Sequence, residues 1–154
     1  MINCKQLRKE VIRPALHGID MWSPEAENLL LGTAAQESHM GKYIVQIKGP
    51  AKGIFQMEPA THDDIVGNWL RYKPNLKHLV LFVAGANSFH SKWLVSNLLY
   101  AAFFCRLHYR RVPSALPAAD DIQGLAVYWK RHYNTYLGAG KTSEFVANYR
   151  KYVR

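Results

Sequence analysis

The chain has 154 residues and a formal net charge of +9; 49% of its residues are apolar and 12% aromatic. That size gives one domain with room for a core, and that apolar content excludes a disordered chain. The charge predicts an anionic partner, with nucleic acid, an anionic membrane face and an acidic wall polymer all fitting, while two distant cysteines exclude a disulfide framework.

The opening stretch, MINCKQLRKEVIRPALHG, alternates charged and apolar residues and has no continuous hydrophobic run. It predicts a helix over 3–17 rather than a signal peptide. A second helix is announced by Ser23 as N-cap, Pro24 at its first position and acids at Glu25 and Glu27, and it runs to about Ser38. Only QESHMGKYIVQIKGPAKGIF looks extended, with room for a short hairpin. Pro59 opens a third helix, PATHDDIVGNWL, and KHLVLFVAG reads as a helix over Leu76–Ala84 or as a short strand. Lys92–Arg110 is predicted as a long central helix with Leu94, Leu98, Ala101 and Cys105 on one face. Its apolar stretch WLVSNLLYAAFFC has 13 residues and includes Ser96 and Asn97. It falls short of the roughly 18 needed to span a bilayer and reads as a core helix. Helices over 118–135 and 142–153 complete the chain. The expectation is a mainly α fold with minimal β, and residues 1–154 forming one domain.

The segment AAQESHMGKYIVQIKGPAKGIFQMEP carries the chemistry. Leu30, Ala34 and Glu37 stand at i, i+4 and i+7, so Glu37 points where the apolar side chains point. A carboxyl among aliphatic groups is disfavoured as an anion, and its pKa should rise. A carboxylic acid that keeps its proton near neutral pH is what a general acid requires. The seven histidines form no HxxxH pair, so no metal or other cofactor is expected.

Glu37-Ser38 at a helix end, followed by Gly53-Ile54-Phe55-Gln56-Met57-Glu58-Pro59-Ala60-Thr61, resembles the soluble lytic transglycosylase family. Its first motif is Glu-Ser. Its second, Gly-Leu-Met-Gln-(Leu/Ile)-x-Pro-x-Thr, is met by GIFQMEPAT. Asn97-Leu98 with Ala101 and Phe104 resembles the third motif weakly. Tyr133-Asn134 resembles the fourth, where Thr135 and Tyr136 replace the small residues expected. The resemblance runs from Leu29 to Asn134 in the family's order. It implies a lysozyme-like fold with a substrate groove and Glu37 as catalytic acid. Supporting or substrate-binding roles fall to Ser38, Phe55, Gln56, Asn97, Tyr133 and Asn134.

Glycoside hydrolysis commonly uses two carboxylates, yet residues 38–57 hold none. Asp63, Asp64, Asp120 and Asp121 read as helix-start acids. The resemblance implies a reaction that needs only one: cleavage between MurNAc and GlcNAc, with the MurNAc C6 hydroxyl closing on C1. The expected partner is the peptidoglycan strand, and other phage virion proteins are possible partners. Nucleic acid is not expected, since no reader motif is present. Synthesis in a host cytoplasm without a signal peptide would be followed by action in the wall or periplasm, through holin-type release or within a virion. A muramidase at the same site and a non-enzymatic glycan-binding or structural virion module are the alternatives.

Overall fold

In a computed structural model that describes residues 1–135 and 137–153, helices dominate. Tyr136, named above as a departure from the fourth motif, lies outside the described residues.

The N-terminal helix is not uniform. It runs as α1 (Cys4–Gln6), a π-helical stretch Leu7–Ile12 and α2 (Arg13–Gly18). Pro14 has no amide hydrogen to give Glu10, and the wider turns just before it accommodate that loss. Helix α3 (Pro24–Ser38) starts as its sequence dictates, with Ser23 Oγ accepting from the Ala26 amide at 3.1 Å. Helix α4 (Pro59–Asn68) follows, then a 3-10 turn Leu70–Tyr72 and α5 (Pro74–Ala84). KHLVLFVAG is therefore helical, not a strand.

The central helix expected over Lys92–Arg110 is broken. Asn97 is extended (φ −132°, ψ 104°) and separates α6 (Trp93–Ser96) from α7 (Leu98–Arg110). Its Oδ1 accepts from the Tyr100 amide at 3.0 Å, and its Nδ2 donates to the Ala84 carbonyl at 2.8 Å. An asparagine that caps a new helix start wins over the continuous apolar run around it.

The last third holds α8 (Ile122–Trp129), a π-helical extension Lys130–Asn134 and α9 (Thr142–Tyr152). Asp121 Oδ1 caps α8 by accepting from the Gly124 amide at 2.8 Å. The extended segment forms only isolated antiparallel bridges, Val45 with Lys52 and Lys52 with Met57, and no strand among the described residues.

Buried α3 and α7 form the centre, with α3 packed along α9 and α8. The closeness of α3 and α9 depends on Gly32, because a Cβ there would stand 2.3 Å from Phe145 Cζ. At the α3 start the buried Glu27 gathers Arg8 (2.6 Å), Arg13 (2.8 Å) and the Trp22 indole (2.8 Å), fastening the N-terminal helix to α3. No helix among the described residues is long and apolar enough to cross a membrane.

Candidate functional site

Glu37 occupies the penultimate position of α3. The helix stops beyond it because His39 and Met40 are both left-handed, with φ of 50° and 59°. Ser38 fixes this end. Its hydroxyl donates to the Ile54 carbonyl at 2.6 Å and accepts from the Gly41 amide at 2.8 Å. The helix end, the turn and the GIFQ segment thus share one buried hydroxyl.

The GIFQ segment is held tightly. Gly53 has φ 77°, and a Cβ on it would lie 2.1 Å from the Leu94 carbonyl oxygen, so only glycine fits. Gln56 is also left-handed, at φ 46°, a conformation that costs a non-glycine residue on the order of 1 kcal/mol. Its amide donates to the Gly53 carbonyl at 2.8 Å, closing the turn on itself.

The third wall comes from the end of α8. Trp129 and Tyr133 are four residues apart. The Trp129 indole N–H donates to Glu37 Oε1 at 2.8 Å, and the Tyr133 hydroxyl donates to the Phe55 carbonyl at 2.7 Å. Lys130 Nζ bridges Asn134 Oδ1 (2.7 Å) and the Gly138 carbonyl (2.8 Å).

These three pieces enclose an open cavity of about 680 Å³. Glu37, Gln56, Tyr133 and Asn134 line it together with Trp129 and His108. Glu37 is half-buried, and burial raises its pKa from the usual 4.5 to about 7, against the lowering pull of the Trp129 hydrogen bond. Burial likewise pushes the Tyr133 hydroxyl and the neighbouring Cys105 thiol upward, so both remain protonated. One carboxyl able to hold or release a proton near neutrality therefore faces a cavity wide enough for a sugar-sized ligand.

The residues singled out in the sequence separate into two groups. Glu37, Gln56, Tyr133 and Asn134 meet at the cavity. Ser38 is fully buried beneath it and acts on the backbone. Phe55, given a supporting or substrate-binding role by the resemblance, is corrected as to substrate contact: its ring is 2% exposed and belongs to the core, and only its carbonyl reaches the site through Tyr133. Asn97 does satisfy backbone groups, but at the α6–α7 break and outside the cavity lining. Asp63 and Asp64 bind His62 and Arg111, and neither lines the cavity. Glu58, which stands at the variable position of the second motif, does line it.

Trp129 and His108 were not anticipated. The i, i+4 spacing of Trp129 and Tyr133 was the one available signal for the first, and His108 gave none. Among the described residues, no group of three or more His, Cys, Asp or Glu side chains is placed to hold a metal ion. Set beside protein-family models, curated proteins and solved structures, the chain matches none of them.

Proposed function

We propose that this chain is a peptidoglycan-cleaving lytic transglycosylase with a lysozyme-like fold and that Glu37 is its catalytic acid. The observation that carries this reading is the half-buried Glu37 carboxyl, raised to about 7 and facing the cavity beside Gln56 and Tyr133. In the proposed reaction the Glu37 carboxyl gives its proton to the glycosidic oxygen between MurNAc and GlcNAc as the C1–O bond breaks. The resulting carboxylate takes the proton of the MurNAc C6 hydroxyl, and that oxygen bonds to C1. The acid is regenerated, and the product ends in a 1,6-anhydro sugar without consuming water.

The surroundings suit both halves of that cycle. Burial favours the neutral acid at the start, and the Trp129 N–H is placed to stabilise the carboxylate formed in between. Tyr133 and one hydrogen of the Gln56 amide donate to the backbone, which holds the cavity walls in place. The net charge of +9 would concentrate the protein on an anionic wall, whether it arrives alone or within a phage particle alongside other virion proteins.

A hydrolytic muramidase at the same site is the second reading, and Glu58 favours it. It puts another carboxylate on the cavity wall, where it could activate a water. Mass spectrometry of muropeptides released from purified sacculi tests both, with Glu37→Gln as control. Anhydro ends support the transglycosylase, and reducing ends support the hydrolase. No release by the wild type would reject both.

A further inference from the structure

His108 lies on the cavity wall, on α7, and the acid–base cycle of Glu37 leaves it unused. Its surroundings define its chemical state. Arg111 Nη2 donates to His108 Nδ1 at 3.0 Å, and Arg111 Nη1 is held in turn by Asp64 Oδ2 at 2.6 Å. A ring nitrogen that accepts from a guanidinium carries no proton, so the imidazole hydrogen resides on Nε2. The ring stands edge-on to Tyr133, with centroids 4.9 Å apart and planes at 71°. Burial, and then the Arg111 charge, bring its pKa down to about 4, so the ring is neutral at neutral pH.

Three neighbouring donors are engaged: Trp129 Nε1 serves Glu37, the Tyr133 hydroxyl serves Phe55, and one hydrogen of Gln56 Nε2 serves Gly53. His108 Nε2 has no partner among the described residues. It is not sealed from solvent either, because Arg111 Nε is the buried side-chain nitrogen or oxygen left without one. Neutrality also matters for its neighbour, since a cationic imidazolium at this wall would favour the Glu37 carboxylate and work against the stored proton.

We propose that His108 is a glycan-binding residue whose Nε2–H donates to the acetamido carbonyl oxygen of the sugar seated beside Glu37. The acetamido carbonyl is the strongest neutral acceptor that such a sugar offers. Asp64 and Arg111 are then positioning residues that fix the ring's tautomer from behind. This inference rests on the glycan reading above.

The test uses the full chain carrying Glu37→Gln, so that ligand binds without turnover, titrated with tri-N-acetylchitotriose by calorimetry. His108→Asn and His108→Phe should each weaken binding by about 3- to 10-fold, the worth of one neutral hydrogen bond. His108→Gln, whose amide nitrogen reaches about as far as Nε2, should stay within about 2- to 3-fold of the parent. Ring ¹⁵N spectra of the parent should show the Nε2–H tautomer, with that signal moving on ligand addition. A histidine that only packs would leave the signal unmoved and make all three variants alike in binding, and that result overturns the inference alone. If the Glu37→Gln protein binds no chitotriose and the wild type releases no muropeptides, the glycan reading fails and this inference falls with it.

Discussion

Helix α3 carries a glutamate near each end, and the two live in opposite worlds. Glu27 is 2% exposed and Glu37 half-buried, yet the pKa of Glu27 lies at about 2 and that of Glu37 at about 7. Burial pushes both upward. At Glu27 the donors of Arg13, Trp22 and Arg8 overwhelm that push, whereas Glu37 has a single indole N–H against it. Low exposure alone therefore does not fix the state of an acid; the balance between desolvation and the supply of donors and cations does. The first end is built for cohesion, and the second keeps a proton available for chemistry.

Exchanging each acid for its amide should separate the two roles most sharply. Glu37→Gln is expected to lower muropeptide release by about 10²- to 10⁴-fold, the usual share of general acid–base catalysis. Its melting temperature at pH 8 should rise. Glu27→Gln leaves the partly exposed Arg8 and Arg13 without their shared anion and should cost about 1–3 kcal/mol of stability, read as a fall in denaturation midpoint. Activity per folded molecule should survive that change. If Glu27→Gln instead abolished activity in fully folded protein, the division of labour along α3 would be wrong.

The pH dependence of stability should have two limbs of opposite sign. For Glu27 the folded value is depressed, so its contribution is present above the unfolded value of 4.5 and is lost as pH falls toward about 2. For Glu37 the folded value is raised. Between pH 4.5 and about 7 the folded chain keeps a proton that the unfolded chain has released, and stability declines as pH rises through that window. The second limb should amount to about 1–3 kcal/mol and vanish in Glu37→Gln, as denaturant titrations at several pH values would show.

The smallest effect concerns the indole. Trp129→Phe removes the one hydrogen bond that lowers the Glu37 pKa, so the alkaline limb of activity should move to higher pH by about half a unit to one unit. An unmoved pH–rate profile would mean that Trp129 contributes packing only.

The legibility of each feature in the sequence depends on the reach of its signal. Ser23 acts on an amide three residues ahead and Pro24 fills the first helical position, and the α3 start they mark is where the structure has it. The helix expected from 118 begins instead at Ile122, where Asp121 caps the Gly124 amide. The direction of Glu37 was also legible, because helical spacing alone turns it inward. The break at Asn97 was not, since a capping asparagine inside an apolar run looks like one more core position until its carbonyl partner at Ala84 is known. The side on which Phe55 falls was equally hidden, because a left-handed Gln56 beside it interrupts the alternation that would have placed its ring. Glu27 read as a helix-start acid, and its hub of Arg8, Arg13 and Trp22 joins residues that no local pattern connects. Trp129 and Glu37 are 92 positions apart, and pairings of that kind belong to tertiary packing.

The π-helical stretch Lys130–Asn134 has a consequence for how this protein can vary. A wide turn holds one residue more than the α-helical path, so rewinding it to regular turns at unchanged length would rotate the residues beyond it by most of one helical step of about 100°. Tyr133 and Asn134 would swing off the cavity while every side chain of the site kept its identity. Removing one residue within Lys130–Asn134 should instead be absorbed by a return to the α-helical path, whereas removing one from the regular turns of α8 leaves the full step uncorrected.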